Sequence, residues 1–168
     1  MAKKPLILDF SQYDVNHVVA DIAEIRRYNP QRHEMEHLTA ICHEDTTQHI
    51  VVGYKALRQD EFWVRGHMPG MPLMPGVIMC EAAAQVAGFY CKKHDLLEGI
   101  VGFAGLEEVR FRGVVRPGDL FVVVARLLKH RRQIMTSEFQ CFVGENFVCE
   151  GIVKGMSLPA DLLPDSGD

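Results

Sequence analysis

The segment over residues 62–85 constrains this chain most, because prolines and glycines punctuate its first half and alanines fill its second. The loop carries His67 and then three prolines that fix the backbone angle φ and exclude a regular helix, Pro69, Pro72 and Pro75. A long helix is predicted from Gly76 to about residue 94, since helices often start directly after proline and alanine is the best helix former. The segment therefore predicts a stiff loop followed by a long helix.

The predicted helix carries a carboxylate, Glu81, in its second turn. Three consecutive alanines at 82–84 make the helix narrow, so neighbouring elements can pack closely around it and the helix is expected to be buried. A buried carboxylate costs several kcal/mol unless it is paired or used in chemistry. Because an imidazole exchanges protons near neutral pH, His67 and Glu81 are predicted to form an acid–base pair.

Two motifs give the chain a family resemblance. The run GHMPGMPLMPGVIMCEAAAQ at 66–85 resembles the GHFPxxPxMPGVxxxEAxAQ signature of the 3-hydroxyacyl-(acyl-carrier-protein) dehydratases of the FabZ type. A second run, RFRGVVRPGD at 110–119, resembles their RFxxxVxPGD turn. The sister FabA type has aspartate at the position of Glu81, so the FabZ type fits better. Met68 departs from the usual phenylalanine, and QRHEMEHLTAI stands in place of the family's HRYPFLLVDRV.

The resemblance implies a hydro-lyase that reversibly dehydrates (3R)-3-hydroxyacyl thioesters on acyl carrier protein to trans-2-enoyl thioesters, in type II fatty acid biosynthesis. In the family, the matching histidine is the base for the C2 proton and the matching carboxyl is the acid for the leaving hydroxyl. These roles fall on His67 and Glu81. No cofactor is expected, because the thioester itself acidifies C2.

The family also implies a homodimer, or a trimer of such dimers, in which each site takes residues from two subunits. An alternative is a catalytically idle module of the same fold that only binds acyl thioesters. The presence of both His67 and Glu81 argues against that alternative.

Further residues are predicted around this pair. Free backbone N–H groups at the helix start, at Gly76, are expected to stabilise negative charge on the thioester oxygen. Gln85, one turn after Glu81, is expected to bind substrate or to orient the carboxyl. The predicted apolar slot for the acyl chain is formed by Phe62, Trp63, Met68 and Phe103. Because carrier proteins are acidic, the candidates for docking them are Arg110, Arg112, Arg116, Arg131 and Arg132.

The rest of the chain predicts a sheet around the helix. Apolar residues at helical spacing predict a short amphipathic helix over 11–28, and residues 37–57 have the pattern of a β-hairpin. Four further strands are predicted, at 100–115, 119–128, 133–143 and 147–157. An antiparallel sheet wrapped around a central helix is an α+β architecture, and in the resembling family it is the hotdog fold. We expect one domain over residues 1–168, frayed at 1–10 and 159–168.

A rival hypothesis comes from residues 33–43, which have the spacing of the HExxHxxGxxH zinc proteases. In it, Glu34 is the base and three histidines hold zinc, His33, His37 and His43. Against it, Ala40 occupies the glycine position, where the chain must leave the helix sharply. The hairpin interpretation also separates His37 from His43 by about 20 Å along a strand, so we predict no metal site.

Composition limits the remaining classes. The formal net charge is −4, so no overall basic field points to nucleic acid. No apolar run is long enough to span a membrane, and residues 1–10 lack the features of a secretory signal. A cytoplasmic protein without membrane contact is therefore expected. Its five cysteines contain no CxxC pair and are predicted to be reduced core residues.

Overall fold

The computed structural model describes residues 5–159, in which a six-stranded antiparallel sheet packs against one long helix. The strands are β1 (Ala40–Asp45), β2 (Ile50–Ala56), β3 (Ile100–Phe111), β4 (Leu120–Arg131), β5 (Ile134–Val143) and β6 (Asn146–Leu158). The helices are α1 (Ile22–Tyr28) and α2 (Gly76–Lys93), with 3-10 helices at Phe10–Gln12 and His33–Met35. Strand order is β1-β2-β4-β5-β6-β3. The predicted α+β hotdog arrangement, its hairpin and its four later strands are confirmed.

Helix α2 forms the centre of the main core and ends one residue short of the predicted limit. Its small residues let the sheet approach closely, and Phe89 of α2 is fully buried together with Phe121 of β4 and Phe139 of β5. Burying a side chain of this size stabilises the fold by roughly 1.5–3 kcal/mol. The helix is therefore a rigid platform for whatever it carries.

The helix predicted over residues 11–28 is wrong in its first two thirds. Only Ile22–Tyr28 is α-helical, and it begins where the Asp21 side chain accepts a hydrogen bond from Glu24 N at 2.9 Å. The preceding N–H groups of Val19 and Ala20 donate instead to Ile41 O, at 2.8 and 3.1 Å. Because β1 offers these donors an acceptor, pairing with the sheet replaces the first helical turns.

Residues 5–10, which were expected to fray, pack on the sheet face opposite α2. Ile7 and Leu8 are buried there in a second apolar cluster that includes Val122 and Phe142. The Ile7 N–H donates to Gln140 Oε1 at 2.8 Å, which anchors the segment. This part of the expectation is wrong. The frayed ends predicted at 1–4 and 160–168 lie outside the described residues.

All five cysteines are buried and free of disulfides, as predicted. Cys141 and Cys149 face each other on β5 and β6, and Cys91 lies near the end of α2. Burial raises the pKa of the Cys42 and Cys91 thiols to about 12. Since the thiolate is the reactive form, these cysteines are inert packing residues in the folded chain.

One edge of the sheet is long and apolar. Strand β3 pairs only with β6, and its other edge is unpaired along the described chain. Phe103 and Leu106 on this strand are 47% and 43% exposed. An open edge with exposed apolar side chains is the kind of surface that a second chain can cover. No helix within residues 5–159 has both the length and the apolar character required to cross a bilayer.

Candidate active site

Glu81 lies in the second turn of α2, at the wall of a pocket. Its Oε1 atom accepts a hydrogen bond from Gln85 Nε2 at 2.8 Å and lies 3.5 Å from Gln31 Nε2. Among residues 5–159, no cationic side chain pairs with this carboxyl. Neutral amides therefore orient Glu81 without providing a counter-ion.

Gln85 is buried, at 4% exposed, and its hydrogen bonds connect Glu81 to the segment after α1. Its amide nitrogen donates both to Glu81 Oε1 and to Met35 O, each at 2.8 Å. Its amide oxygen accepts from His37 N at 3.0 Å, and its backbone oxygen accepts from Asn29 Nδ2 at 3.0 Å. The expected orienting contact is present. Because both amide hydrogens are used, direct substrate binding by Gln85 stays a prediction.

The segment after α1 contributes residues that sequence reasoning missed. Asn29 is buried and holds the segment against α2 through Gln85, while Gln31 reaches Glu81. The one sequence signal here is that QRHEMEHLTAI differs from the family's usual sequence. This difference marks the segment as unusual but does not predict which residues it contacts.

His67 lies in a loop, as predicted, and the residue is exposed. Its Nδ1 atom is 2.8 Å from Leu73 O, and the backbone groups of the same two residues form a further 2.8 Å hydrogen bond. The His67 N–H donates to Trp63 O at 2.8 Å, and the His67–Met68 peptide bond is cis. Because a carbonyl oxygen only accepts, Nδ1 carries the ring proton and Nε2 is left as an acceptor.

The start of α2 presents free backbone donors. The N–H groups of Gly76 and Val77 have no hydrogen-bond acceptor in the described part of the chain. A Cβ atom on Gly76 would approach the Phe111 ring to 2.7 Å, so only glycine permits this contact. The loop, the end of β3 and the start of α2 thus meet at one place.

The pocket beside Glu81 has a volume of about 220 Å³ and lies between α2 and the sheet. Its lining comes from the segment after α1, one face of α2, and strands β3, β5 and β6. The α2 residues on its wall are Glu81, Ala84, Gln85, Gly88 and Lys92. It is an elongated site beside a carboxyl group, open enough for a small apolar chain.

Of the four residues predicted to line an acyl slot, Phe103 lines this pocket and three do not. Phe62 lies 49% exposed on the surface, and its ring centroid is 6.2 Å from that of His37. Trp63 is 4% exposed within the main core, and Met68 is exposed beside His67. His67 itself does not line the pocket of its own chain. The structure therefore separates the two predicted catalytic residues into different surroundings within one protomer.

The zinc-protease interpretation of residues 33–43 is wrong. His33 lies exposed in a three-residue 3-10 helix, so no α-helix places it and His37 on one face. His43 belongs to strand β1. Within residues 5–159, no group of three or more histidine, cysteine, aspartate or glutamate side chains is placed to hold a metal ion. Burial of His37 lowers its pKa to about 4, with a smaller contribution from the charge of Lys55.

The five candidate arginines form two groups at opposite ends of the sheet, because β3 runs antiparallel to β6. Arg110 and Arg116 are exposed near the Gly76 end. Arg112 lies there too, but its Nε donates to Glu150 Oε1 at 2.9 Å and its guanidinium lies over Phe147. Arg131 and Arg132 belong to the β4–β5 hairpin at the far end.

Comparison with known proteins identifies the family of the chain. The model of the FabA-like domain matches residues 29–152. The 3-hydroxyacyl-(acyl-carrier-protein) dehydratase FabZ of Syntrophobacter fumaroxidans is 36% identical over 132 residues, covering 77% of this chain and 88% of that protein. The FabZ of Clostridioides difficile is 34% identical over 132 residues, covering 78% and 92%.

Solved structures share the fold at low sequence identity. A chain of the dehydratase heterocomplex ApeI:P from Xenorhabdus doucetiae has a TM-score of 0.66 and 16% identity, covering 82% of this chain and 92% of that one. The virulence protein Cj0977 of Campylobacter jejuni has a TM-score of 0.62 and 16% identity, covering 83% and 94%. With the domain match and the FabZ relatives, these findings show that the chain belongs to the FabA-like family and is of the FabZ type.

Proposed function

We propose that the chain is a hydro-lyase that reversibly converts a (3R)-3-hydroxyacyl thioester on acyl carrier protein to the trans-2-enoyl thioester, in type II fatty acid biosynthesis. The observation that carries the proposal is the carboxyl of Glu81, which amides orient at the wall of an elongated pocket and no described cation neutralises. Membership of a family whose relatives are named as FabZ dehydratases supports it.

Each residue has a defined task in this reaction. In the neutral ring of His67 the hydrogen bond to Leu73 O places the proton on Nδ1, and Nε2 takes the C2 proton. The C3–O bond breaks as the electron pair forms the C2–C3 double bond, and Glu81 gives its proton to the departing hydroxyl, which leaves as water. Oε1 of Glu81 accepts from Gln85, so the transferable proton belongs on Oε2. The free N–H of Gly76 polarises the thioester carbonyl.

The site is completed by a second copy of the chain. His67 does not line the pocket that holds Glu81 of its own protomer, so proton removal and proton donation need two subunits to meet. The open edge of β3, with Phe103 and Leu106 exposed beside the pocket, is the surface on which this homodimer forms. The carrier protein docks at the end where Arg110 and Arg116 are exposed, close to the start of α2.

Turnover tests the proposal directly. Purified protein is incubated with crotonyl and 3-hydroxybutyryl thioesters of acyl carrier protein, and the enoyl absorbance is followed. We expect interconversion that persists in the presence of a chelator. Binding without turnover would identify the idle module instead and would contradict the proposed activity.

Complementation tests the shared site. His67→Ala and Glu81→Gln variants, each inactive alone, are unfolded together and refolded, which makes about half of the dimers mixed. A site built from two subunits regains both native residues once in each mixed dimer, so activity returns to roughly a quarter of wild type. If subunit exchange shows mixed dimers and the mixture stays inactive, the shared site is wrong.

A further inference from the structure

The pocket follows one stripe of α2 for three turns. Glu81, Ala84, Gly88 and Lys92 recur at helical spacing along its wall, and Lys92 follows Glu81 by eleven positions. At 1.5 Å per residue this stripe is about 16 Å long. If the proposed function holds, the reacting carbons lie at the Glu81 end and the acyl chain extends towards Lys92.

The middle of the stripe is open. Gly88 is buried, yet a Cβ atom built on it would meet no atom within 4 Å. Apolar side chains of the sheet also line the pocket, namely those of Val101, Phe103, Met135 and Val153. An apolar chain therefore finds an apolar passage beside Gly88.

The far end has a different character, because the half-buried side chain of Lys92 lines it. The ammonium group of Lys92 has no hydrogen-bond or ion-pair partner anywhere in residues 5–159. Two nearby lysines are paired: Lys93 donates to Glu44, and Lys154, which also lines the pocket, donates to Glu107. Lys92 alone among these three brings an uncompensated charge to the pocket.

We propose that Lys92 is a specificity-determining residue that sets the upper length of the acyl chain. An apolar tail that ends beside Gly88 fills the passage without touching the charge. A longer tail must strip water from the Lys92 ammonium and supplies no acceptor in return, which is unfavourable. The substrates are accordingly short and medium acyl chains. This inference depends on the proposed function for the direction in which the chain lies.

The test compares kcat/KM across saturated 3-hydroxyacyl thioesters from butyryl to hexadecanoyl length. Lys92→Met keeps the length of the side chain and removes its charge, so the ratio of long-chain to short-chain kcat/KM should rise about tenfold. Lys92→Arg keeps the charge and should keep the wild-type profile. Gly88→Val fills the passage before Lys92 and should lower the same ratio.

Lys93→Met is the matched control, because its neighbouring ammonium pairs with Glu44 outside the pocket. It should leave the chain-length profile unchanged, and Lys92→Gln replaces Lys92→Met if the latter does not fold. An unchanged ratio in the folded Lys92 variant would overturn the inference while wild-type turnover of the butyryl substrate still supported the function. Absence of turnover with every substrate would reject the proposed function itself.

Discussion

A carboxylate lies at each end of α2, and the two carboxylates have different kinds of hydrogen-bond partner. At the first end, Glu81 accepts from the neutral amide of Gln85. At the last end, Glu44 of β1 receives Lys93 Nζ at 2.5 Å and lies 2.7 Å from His94 Nε2. The Glu44 side chain is 9% exposed, while the side chains of Lys93 and His94 are 24% and 28% exposed. Neutral hydrogen-bond donors thus orient Glu81, whereas an ion pair with Lys93 ties Glu44 to the end of α2.

The difference shows what each end contributes. Lys93 and His94 contact Glu44 and tie the C-terminal end of α2 to β1, which stabilises the fold. Gln85 forms hydrogen bonds with the segment 29–37 and with Glu81, and these bonds stabilise the orientation of the Glu81 carboxyl group. The end of α2 that carries Glu81 is thus the candidate functional end, the end that binds Glu44 is structural, and matched substitutions can separate them.

Exchanging each carboxylate for its amide should give the largest contrast. Glu81→Gln keeps shape but has no proton to give, so kcat/KM should fall roughly 10²–10⁴-fold. Glu44→Gln should keep activity and lower the free energy of unfolding by about 1 kcal/mol, because its ion-pair partner Lys93 is partly solvated. Steady-state kinetics and urea unfolding measure both effects. An active Glu81→Gln enzyme would remove Glu81 from the mechanism.

Low pH should destabilise the fold near Glu81 through His37, whose backbone N–H donates to Gln85 Oε1. The unfolded chain binds a proton at His37 near pH 6.5, whereas burial lowers the folded pKa to about 4. As the pH falls between these two values, protonation of His37 therefore favours the unfolded state. This one residue lowers the free energy of unfolding by about 3 kcal/mol.

Replacing His37 by Asn should flatten that part of the stability profile, measured by urea unfolding at several pH values. The exposed His17→Asn is the control and should leave the slope unchanged. Equal slopes in the wild type and the His37 variant would contradict the assignment.

Gln85→Met should lower the rate less than Glu81→Gln does. Loss of the amide donor releases Glu81, and kcat should fall about tenfold while KM stays the same, as expected when an interaction acts in the transition state. Stability should also fall by roughly 1–3 kcal/mol, since buried partners lose their bonds.

Gln140→Met separates orientation from stability. Gln140 is another buried glutamine that holds backbone groups, at Ile7 and Pro5, on the opposite face of the sheet. Gln140→Met should lower the free energy of unfolding by about as much as Gln85→Met does, but it should leave kcat unchanged. A parallel fall of kcat in both variants would mean that Gln85 acts only on the fold.

Local signals predicted most of the elements. Pro75 followed by alanines predicted α2 to within one residue, and alternating apolar residues predicted the strands. The helix over 11–21 failed because its apolar spacing is equally compatible with a segment that pairs with β1, and only the position of Ile41 decides between them. The HExxH spacing failed for a related reason, since spacing identifies ligands only when the segment is an α-helix.

The sequence by itself determined the residue types of the candidate chemistry, His67 on a proline-bound loop and Glu81 on a narrow helix, because these depend on local backbone preferences. Only the tertiary structure decided that Gln85 holds Glu81 against the segment 29–37, that His67 lies outside the pocket beside Glu81, and that Lys92 lines this pocket. Those facts depend on contacts between residues far apart in the chain, where packing and hydrogen-bond satisfaction choose among side chains that sequence spacing leaves equivalent.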